Sequence, residues 1–111
     1  MFRFCSLYSG SSGNSLYVES NKTKLLVDCG ESAKKIINSL SDIDVDIEKI
    51  DGILVTHEHI DHVKSLGTLS KKYDIPIYTN LETLKAMPDQ INKIKPENIH
   101  IFLFITSSYF D

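Results

Sequence analysis

The sequence predicts an α/β fold in which helices follow the strands of one sheet, in the order β-β-β-α-β-α-β-α-β. Three strand-like segments joined by short connections come first, and amphipathic helical segments then alternate with short apolar runs. The chain has 111 residues, which is enough for one small domain with a modest core. Because there is no internal repeat and no linker-like stretch, we expect a single structural unit.

The first three strands are predicted to pair antiparallel. In residues 2–8, one strand face would carry Phe2, Phe4, Ser6 and Tyr8, and the other Arg3, Cys5 and Leu7. Leu16-Tyr17-Val18 is the second strand-like segment, and residues 23–27 are the third. Between the first two strands, residues 9–15 contain only Ser, Gly and Asn, which is typical of a loop or tight turn. Short connections of this kind favour neighbouring antiparallel strands.

The first helix is predicted to begin after Ser32, a residue type that caps helix N-termini. Its inward stripe has helical spacing and consists of Ala33, Ile36, Ile37 and Leu40. Residues 50–56 follow as a strand with the run Ile53-Leu54-Val55, which is typical of a strand buried on both faces.

The remaining elements are predicted from apolar spacing and from breaking residues. They are a helix over 63–73, a strand over 77–79, a helix over 81–87 capped by Asn80, an irregular stretch over 88–98 and a strand over 99–105. This part of the chain therefore supplies the alternating helices and strands of the α/β pattern.

Composition excludes several classes of protein. The formal net charge is -3, so no global basic field indicates a nucleic-acid partner. No apolar run is long enough for a membrane span, so no membrane partner is expected. Two cysteines do not make a disulfide framework and no secretory signal precedes them, so a reducing cytoplasm is the expected compartment.

The segment His57-Glu58-His59-Ile60-Asp61-His62 carries the chemistry. It holds three of the four histidines in the chain. Side chains two positions apart in an extended segment point the same way, so His57 and His59 can offer imidazoles to one ion. Asp61 and His62 follow where the chain turns into a helix and can face a second ion. Such clustering favours metal ligation over a solvated polar loop.

Imidazole nitrogen and carboxylate oxygen suit divalent ions, with zinc favoured and manganese or iron as alternatives. A pair of such ions can activate a water and stabilise the charge that develops on a substrate oxygen. The segment also follows a buried strand, and α/β sheets place ligands at the carboxyl ends of strands. We therefore expect two metal ions and a hydrolytic reaction.

The segment Thr56-His57-Glu58-His59-Ile60-Asp61-His62 resembles the signature of metallo-β-lactamase fold hydrolases. The resemblance extends to the opening of the YycJ (WalJ) branch through residues 4–15 and Leu25-Leu26-Val27-Asp28-Cys29-Gly30. That branch is related to metal-dependent exonucleases and phosphodiesterases. The resemblance implies the N-terminal half of an αββα sandwich and a nucleic-acid or other phosphodiester substrate.

The resemblance also implies a role for each site residue. His57 and His59 would bind the first metal, and Asp61 and His62 the second, with Asp61 also the catalytic group near the water. Asp28 would lie beneath the metal loop and orient it, or else cap a strand end.

A serine-glycine loop would lie beside that site, where its backbone amides could meet a phosphate. The alternative is a plain tight turn that needs a positive φ. The loop residues concerned are Gly10, Ser12, Gly13 and Asn14.

The chain departs from the family pattern after His62, because the later histidines and the bridging aspartate of the family have no counterpart. We therefore expect residues 1–102 to be the N-terminal half of the fold, and 103–111 an apolar tail. Two alternatives to a phosphodiesterase stay open. One is an inert half-domain that needs the missing half or an oligomer partner, and the other is a hydrolase of thioester or lactam bonds.

Overall fold

The computed structural model describes residues 2–102, which form a six-stranded mixed sheet with helices on one face. The strands lie side by side in sequence order. They are β1 (Arg3–Tyr8), β2 (Ser15–Glu19), β3 (Lys24–Val27), β4 (Gly52–Leu54), β5 (Ile77–Thr79) and β6 (Ile99–Ile101). The α/β prediction and its order of elements are confirmed.

Strand direction changes in the middle of the sheet. β1, β2 and β3 pair antiparallel, as predicted, whereas β3, β4, β5 and β6 pair parallel. Each parallel connection carries helical structure, because parallel neighbours need a crossover. The carboxyl ends of β3 and β4 therefore meet at the same edge of the sheet.

Five α-helices are present among the described residues. They are α1 (Ala33–Asp42), α2 (Ile60–Val63), α3 (Leu66–Tyr73), α4 (Leu81–Lys85) and α5 (Pro88–Ile91), with 3₁₀ turns at Ile47–Lys49 and Pro96–Asn98. The two predicted N-caps are confirmed: Ser32 accepts a hydrogen bond from the backbone amide of Lys35, and Asn80 accepts one from that of Thr83.

The predicted elements differ from the structure in two places. The helix expected over 63–73 is divided, because the amide of the buried Ser65 donates to the carbonyl of Cys29 and interrupts the helical ladder between α2 and α3. The stretch expected to be irregular over 88–98 contains α5, with Pro88 in its first turn, and a 3₁₀ turn. The strand expected over 99–105 is observed as Ile99–Ile101, and 103–111 lie outside the described residues.

The core lies between one face of the sheet and the helices. Tyr17, Leu26, Ile53 and Ile77 occupy successive strands and are completely buried. The helices contribute Ile36 and Leu40 from α1, and Leu66 and Leu69 from α3, to the same cluster. Burying each aliphatic side chain contributes about 1.5–3 kcal/mol, so this layer fixes the sheet on which the site is built.

The other face of the sheet carries a row of half-buried apolar side chains. Leu16, Val27, Leu54 and Tyr78 are register partners across β2, β3, β4 and β5. The prediction that the β4 strand is buried on both faces is therefore wrong for Leu54, because helices cover only the opposite side. No helix among residues 2–102 has the length and apolar character needed to cross a bilayer.

Candidate functional site

The site is assembled where β3 and β4 end side by side. Asp28 directly follows β3, and its amide donates to the carbonyl of Leu54 in β4 at 2.8 Å. Asp28 has φ 65, a left-handed conformation that aspartate adopts more readily than most residues. This turn directs the Asp28 side chain under the segment that leaves β4.

The Asp28 carboxylate accepts three hydrogen bonds from that segment. Oδ1 accepts from the backbone amide of Thr56 at 2.8 Å, and Oδ2 accepts from the Thr56 hydroxyl at 2.5 Å. Oδ2 also lies 2.7 Å from Nδ1 of His62. Asp28 is 5% exposed, so these partners replace the water that a buried carboxylate needs. Asp28 thus lies beneath the segment that follows β4.

Two of the motif imidazoles lie together above Asp28. The ring centroids of His57 and His62 are 4.8 Å apart. Nε2 of His62 is 3.7 Å from Oδ2 of Asp61, so that nitrogen and that carboxylate face a common space. His57 is exposed, whereas Asp61 and His62 are partly buried. These three side chains form the part of the predicted ligand set that the structure brings together.

His59 lies farther out than the other motif histidines. Its ring centroid is 6.3 Å from that of His57, and its side chain is 72% exposed. Nε2 of His59 lies 3.9 Å from Oε1 of Glu58, an exposed pair that adds little stability. His59 is thus much more exposed than His62, whose side chain is 20% exposed.

The serine-glycine loop meets the motif through Asn14. Nδ2 of Asn14 donates to the Asp61 carbonyl and lies 3.2 Å from the Asp61 carboxylate oxygen Oδ2. The same side chain closes its own loop on Gly10, donating to the carbonyl at 2.8 Å and accepting from the amide at 3.3 Å. Gly10 has φ 112, which fits the tight-turn interpretation of this residue. Ser12 is exposed and Gly13 is buried.

Backbone hydrogen bonds join the three loops around the motif. The amide of Asn14 donates to the Asp61 carbonyl at 2.8 Å, and the amide of Gly30 donates to the Asn14 carbonyl at 2.8 Å. The amide of Cys29 donates to the His62 carbonyl at 2.7 Å. A Cβ on Gly30 would lie 1.8 Å from the Asp61 carbonyl oxygen, so only glycine permits this approach. The position of Asp61 is therefore set by two other loops.

Cys29 adjoins the site without being available to a cation. It is completely buried, and this burial raises the pKa of its thiol. The nearby negative charge of Asp28 raises that pKa further, by a smaller amount. Since the thiolate is the metal-binding form of cysteine, Cys29 contributes packing rather than ligation.

A cavity of about 300 Å³ opens beside the motif. Asp28 and His62 form part of its wall, together with Tyr8 at the end of β1 and Asn14 in the serine-glycine loop. The Tyr8 hydroxyl is held by the Lys35 carbonyl at 3.3 Å and by the Ser39 hydroxyl at 3.0 Å, so its ring is fixed at the rim. The remaining lining residues are Ser6, Ser9, Ser15, Leu16 and Val27.

Comparison with known families decides the identity of the fold. The model of the metallo-β-lactamase superfamily matches residues 8–103. The chain belongs to the metallo-β-lactamase superfamily. A putative metallo-β-lactamase from Thermotoga maritima shows the same fold, with a TM-score of 0.71 and 14% identity over 96% of this chain and 61% of that one. Members of this superfamily depend on metal ions.

Two relatives share much more of the sequence. Exodeoxyribonuclease WalJ of Streptococcus pneumoniae is 46% identical over 91% of this chain, and exodeoxyribonuclease YycJ of Bacillus anthracis is 46% identical over 89%. The chain spans 38% of the length of each. The resemblance to this branch of the superfamily is thus confirmed.

The donor chemistry of the motif fits a divalent cation, because imidazole and carboxylate groups bind zinc, manganese and iron. Within residues 2–102, however, no three His, Cys, Asp or Glu side chains are arranged to hold one ion. His62 lies beside His57 and beside Asp61, whereas His59 is farther from His57 and largely exposed. The imidazole and carboxylate groups that could bind a cation are therefore present, but they are only partly brought together.

Sequence reasoning passed over Thr56 as a functional residue. Its hydroxyl contacts Oδ2 of Asp28 at 2.5 Å and Nδ1 of His57 at 3.0 Å, so it joins the buried carboxylate to a motif histidine. The signal was available in the position of Thr56 between the end of β4 and the first histidine of the motif.

Proposed function

We propose that this chain supplies the first part of the metal site of a hydrolase that cleaves phosphodiester bonds in DNA, in the manner of an exonuclease. The observation that carries the proposal is that His62 lies beside both His57 and Asp61, above the buried Asp28 at the ends of β3 and β4. The similarity to two exodeoxyribonucleases supports the choice of substrate.

The residues that would hold metal are His57, His59, Asp61 and His62, with zinc favoured and manganese or iron as alternatives. A bound divalent cation would supply Lewis acidity, which generates a nucleophile from water near neutral pH and stabilises charge on a phosphate oxygen. Two ions would use all four donors. We propose Asp61 as the residue nearest the reacting water.

The protein groups around the ion prepare its ligands. Asp28 accepts from Nδ1 of His62, which leaves Nε2 of that ring to act as a ligand. Asn14 holds the Asp61 carbonyl and one carboxylate oxygen, which limits rotation of the carboxylate. The cavity lined by Asp28, His62, Asn14 and Tyr8 would receive the substrate beside the ion.

Metal uptake tests the site. We expect the purified chain to bind zinc in a competition titration with a chromogenic chelator, and to lose most of that affinity in His57→Ala, His62→Ala or Asp61→Asn. The matched control is His100→Ala, because His100 is an exposed histidine on β6, stacked on Tyr78 and outside the motif. Unchanged zinc affinity in the three motif variants would refute the ligand assignment.

Because the chain spans 38% of the length of the curated relatives, DNA cleavage is tested in a hybrid protein that supplies the remaining length. In WalJ of Streptococcus pneumoniae, the matching segment is replaced by this chain. We expect the hybrid to degrade labelled linear DNA in zinc or manganese, to stop in EDTA, and to be inactive as Asp61→Asn.

The same hybrid protein also tests the two other functions that the sequence left open, which are thioester or lactam hydrolysis and an inert half-domain. A hybrid that hydrolyses a chromogenic cephalosporin or a thioester but leaves DNA intact would transfer the assignment to those bonds. A folded hybrid with no metal and no activity would favour an inert half-domain.

A further inference from the structure

We propose that Thr56 is a positioning residue that fixes the tautomer of His57 through its hydroxyl group. This inference deepens the proposed function and rests on it, because the tautomer matters only if His57 is a metal ligand. The proposal itself stands on hydrogen-bond geometry that is independent of any bound ion.

The Asp28 carboxylate can only accept hydrogen bonds when it is ionised. Its Oδ2 lies 2.5 Å from the Thr56 hydroxyl oxygen and 2.7 Å from Nδ1 of His62. Both neighbours must therefore present a proton to the same oxygen. For His62, this places the ring proton on Nδ1 and leaves a lone pair on Nε2.

Thr56 has a single hydroxyl proton, and it donates that proton in the hydrogen bond to the Asp28 carboxylate. Nδ1 of His57 lies 3.0 Å from the same hydroxyl oxygen. Since that oxygen has no second proton to donate, it can only accept, and Nδ1 of His57 must carry the proton. Nε2 of His57 is then left with a free lone pair, as in His62.

One buried carboxylate thus determines the protonated nitrogen of two imidazoles, His62 by direct contact and His57 through the Thr56 hydroxyl. The two rings are neighbours, with centroids 4.8 Å apart, so both lone pairs become available in the same region. A metal binds the unprotonated nitrogen of a neutral imidazole, and an outer hydrogen bond fixes which nitrogen that is.

A purely structural role for Thr56 makes a different prediction. The Thr56 amide also donates to Oδ1 of Asp28 at 2.8 Å, and that bond alone could anchor the end of β4. Valine keeps the shape of threonine and the backbone amide but lacks the hydroxyl, whereas serine keeps the hydroxyl. Comparing Thr56→Val with Thr56→Ser therefore separates anchoring from tautomer selection.

The experiment uses the ¹⁵N-labelled, metal-free chain and long-range ¹H–¹⁵N correlation of its imidazoles at about pH 8, where histidine is ordinarily neutral. His100 serves as an exposed internal reference on β6. We expect His57 to be protonated at Nδ1 in the wild-type chain and in Thr56→Ser. In Thr56→Val we expect the tautomer mixture of a free imidazole, with the His62 tautomer unchanged.

Zinc affinity of the same three proteins gives the second measurement. We expect Thr56→Val to weaken zinc binding by about 10–100-fold, the usual effect of removing an outer partner of a ligand, and Thr56→Ser to match the wild-type chain. Protonation of wild-type His57 at Nε2, or an unchanged His57 tautomer in Thr56→Val, would overturn the proposal.

The two measurements distinguish this inference from the proposed function. If none of the three proteins takes up zinc and the tautomers follow the expected pattern, the metal site is refuted and the role of Thr56 stands. If zinc binds normally while Thr56→Val leaves the His57 tautomer as it was, the metal site stands and the role of Thr56 is refuted.

Discussion

Replacing Gly30 by alanine should disrupt the loops that hold Asp61. The added Cβ would lie 1.8 Å from the Asp61 carbonyl oxygen and 2.5 Å from the amide nitrogen of Asn14. Both obstacles are backbone atoms, so no side-chain rotation relieves the overlap. The loops must separate by roughly 1.5 Å to restore ordinary contact.

That separation breaks two backbone hydrogen bonds, from Gly30 to Asn14 and from Asn14 to Asp61, each 2.8 Å long. Each lost bond costs about 1 kcal/mol, and overpacking adds about 1–3 kcal/mol. We therefore expect Gly30→Ala to lower the free energy of unfolding by about 3–5 kcal/mol, a large share of the total for a domain of this size.

Urea unfolding followed by circular dichroism measures this loss. Gly10→Ala is the matched control, because Gly10 has φ 112 but open space around the added Cβ. Its cost should be only the conformational one, about 1 kcal/mol. Equal losses in the two variants, or a loss below about 1 kcal/mol in Gly30→Ala, would refute the steric reasoning.

Three further outcomes are expected from other hydrogen bonds in the structure. Asp28→Asn places an amide against the Nδ1 proton of His62, so zinc affinity should fall about 10–100-fold by chelator competition, and unchanged affinity would contradict the role of Asp28. Asn14→Ala removes the amide bonds to Asp61 and should lower unfolding stability by about 1–3 kcal/mol; a loss confined to zinc binding would instead assign Asn14 a purely local role. Burial and the hydrogen bond to Glu19 raise the pKa of Tyr17 above its usual value, so the unfolded chain loses its tyrosine proton first and stability falls as pH rises above about 10. Tyr17→Phe should show a smaller alkaline fall in the urea midpoint than the wild-type chain, and an identical fall would exclude Tyr17 as its source.

The elements of the fold were predictable wherever local signals agreed with packing. Ser32 and Asn80 cap their helices because each carries a short side-chain acceptor at the right position. The division between α2 and α3 was not predictable, since it depends on a hydrogen bond from Ser65 to Cys29, a residue far away in the sequence. Pro88 gave a local signal for α5 that favoured a helix start as much as an irregular stretch.

The residues proposed as metal ligands could be identified from the sequence, whereas most of the residues that contact them could not. The spacing of His57, Asp61 and His62 is local and can be read from the motif alone. The contact of Asn14 with the Asp61 carboxylate depends on the relative placement of two loops, and the sequence left open a phosphate-binding loop or a plain tight turn there. The role of Thr56 depends on the turn at Asp28, whose left-handed φ no local pattern specified.

The meeting of β3 and β4 also bears on how the chain would acquire the proposed affinity for ions. The motif donors are contiguous in sequence, whereas Asp28 lies 34 positions before His62 and 28 before Thr56. An unfolded chain therefore already has the proposed ligands close together in sequence, but not the carboxylate that contacts His62, and bringing that carboxylate near requires closing a long loop. If the proposed site binds ions tightly, that binding would report parallel strand pairing during refolding, and a chain misaligned by one residue between these strands would keep the motif but bind ions only weakly.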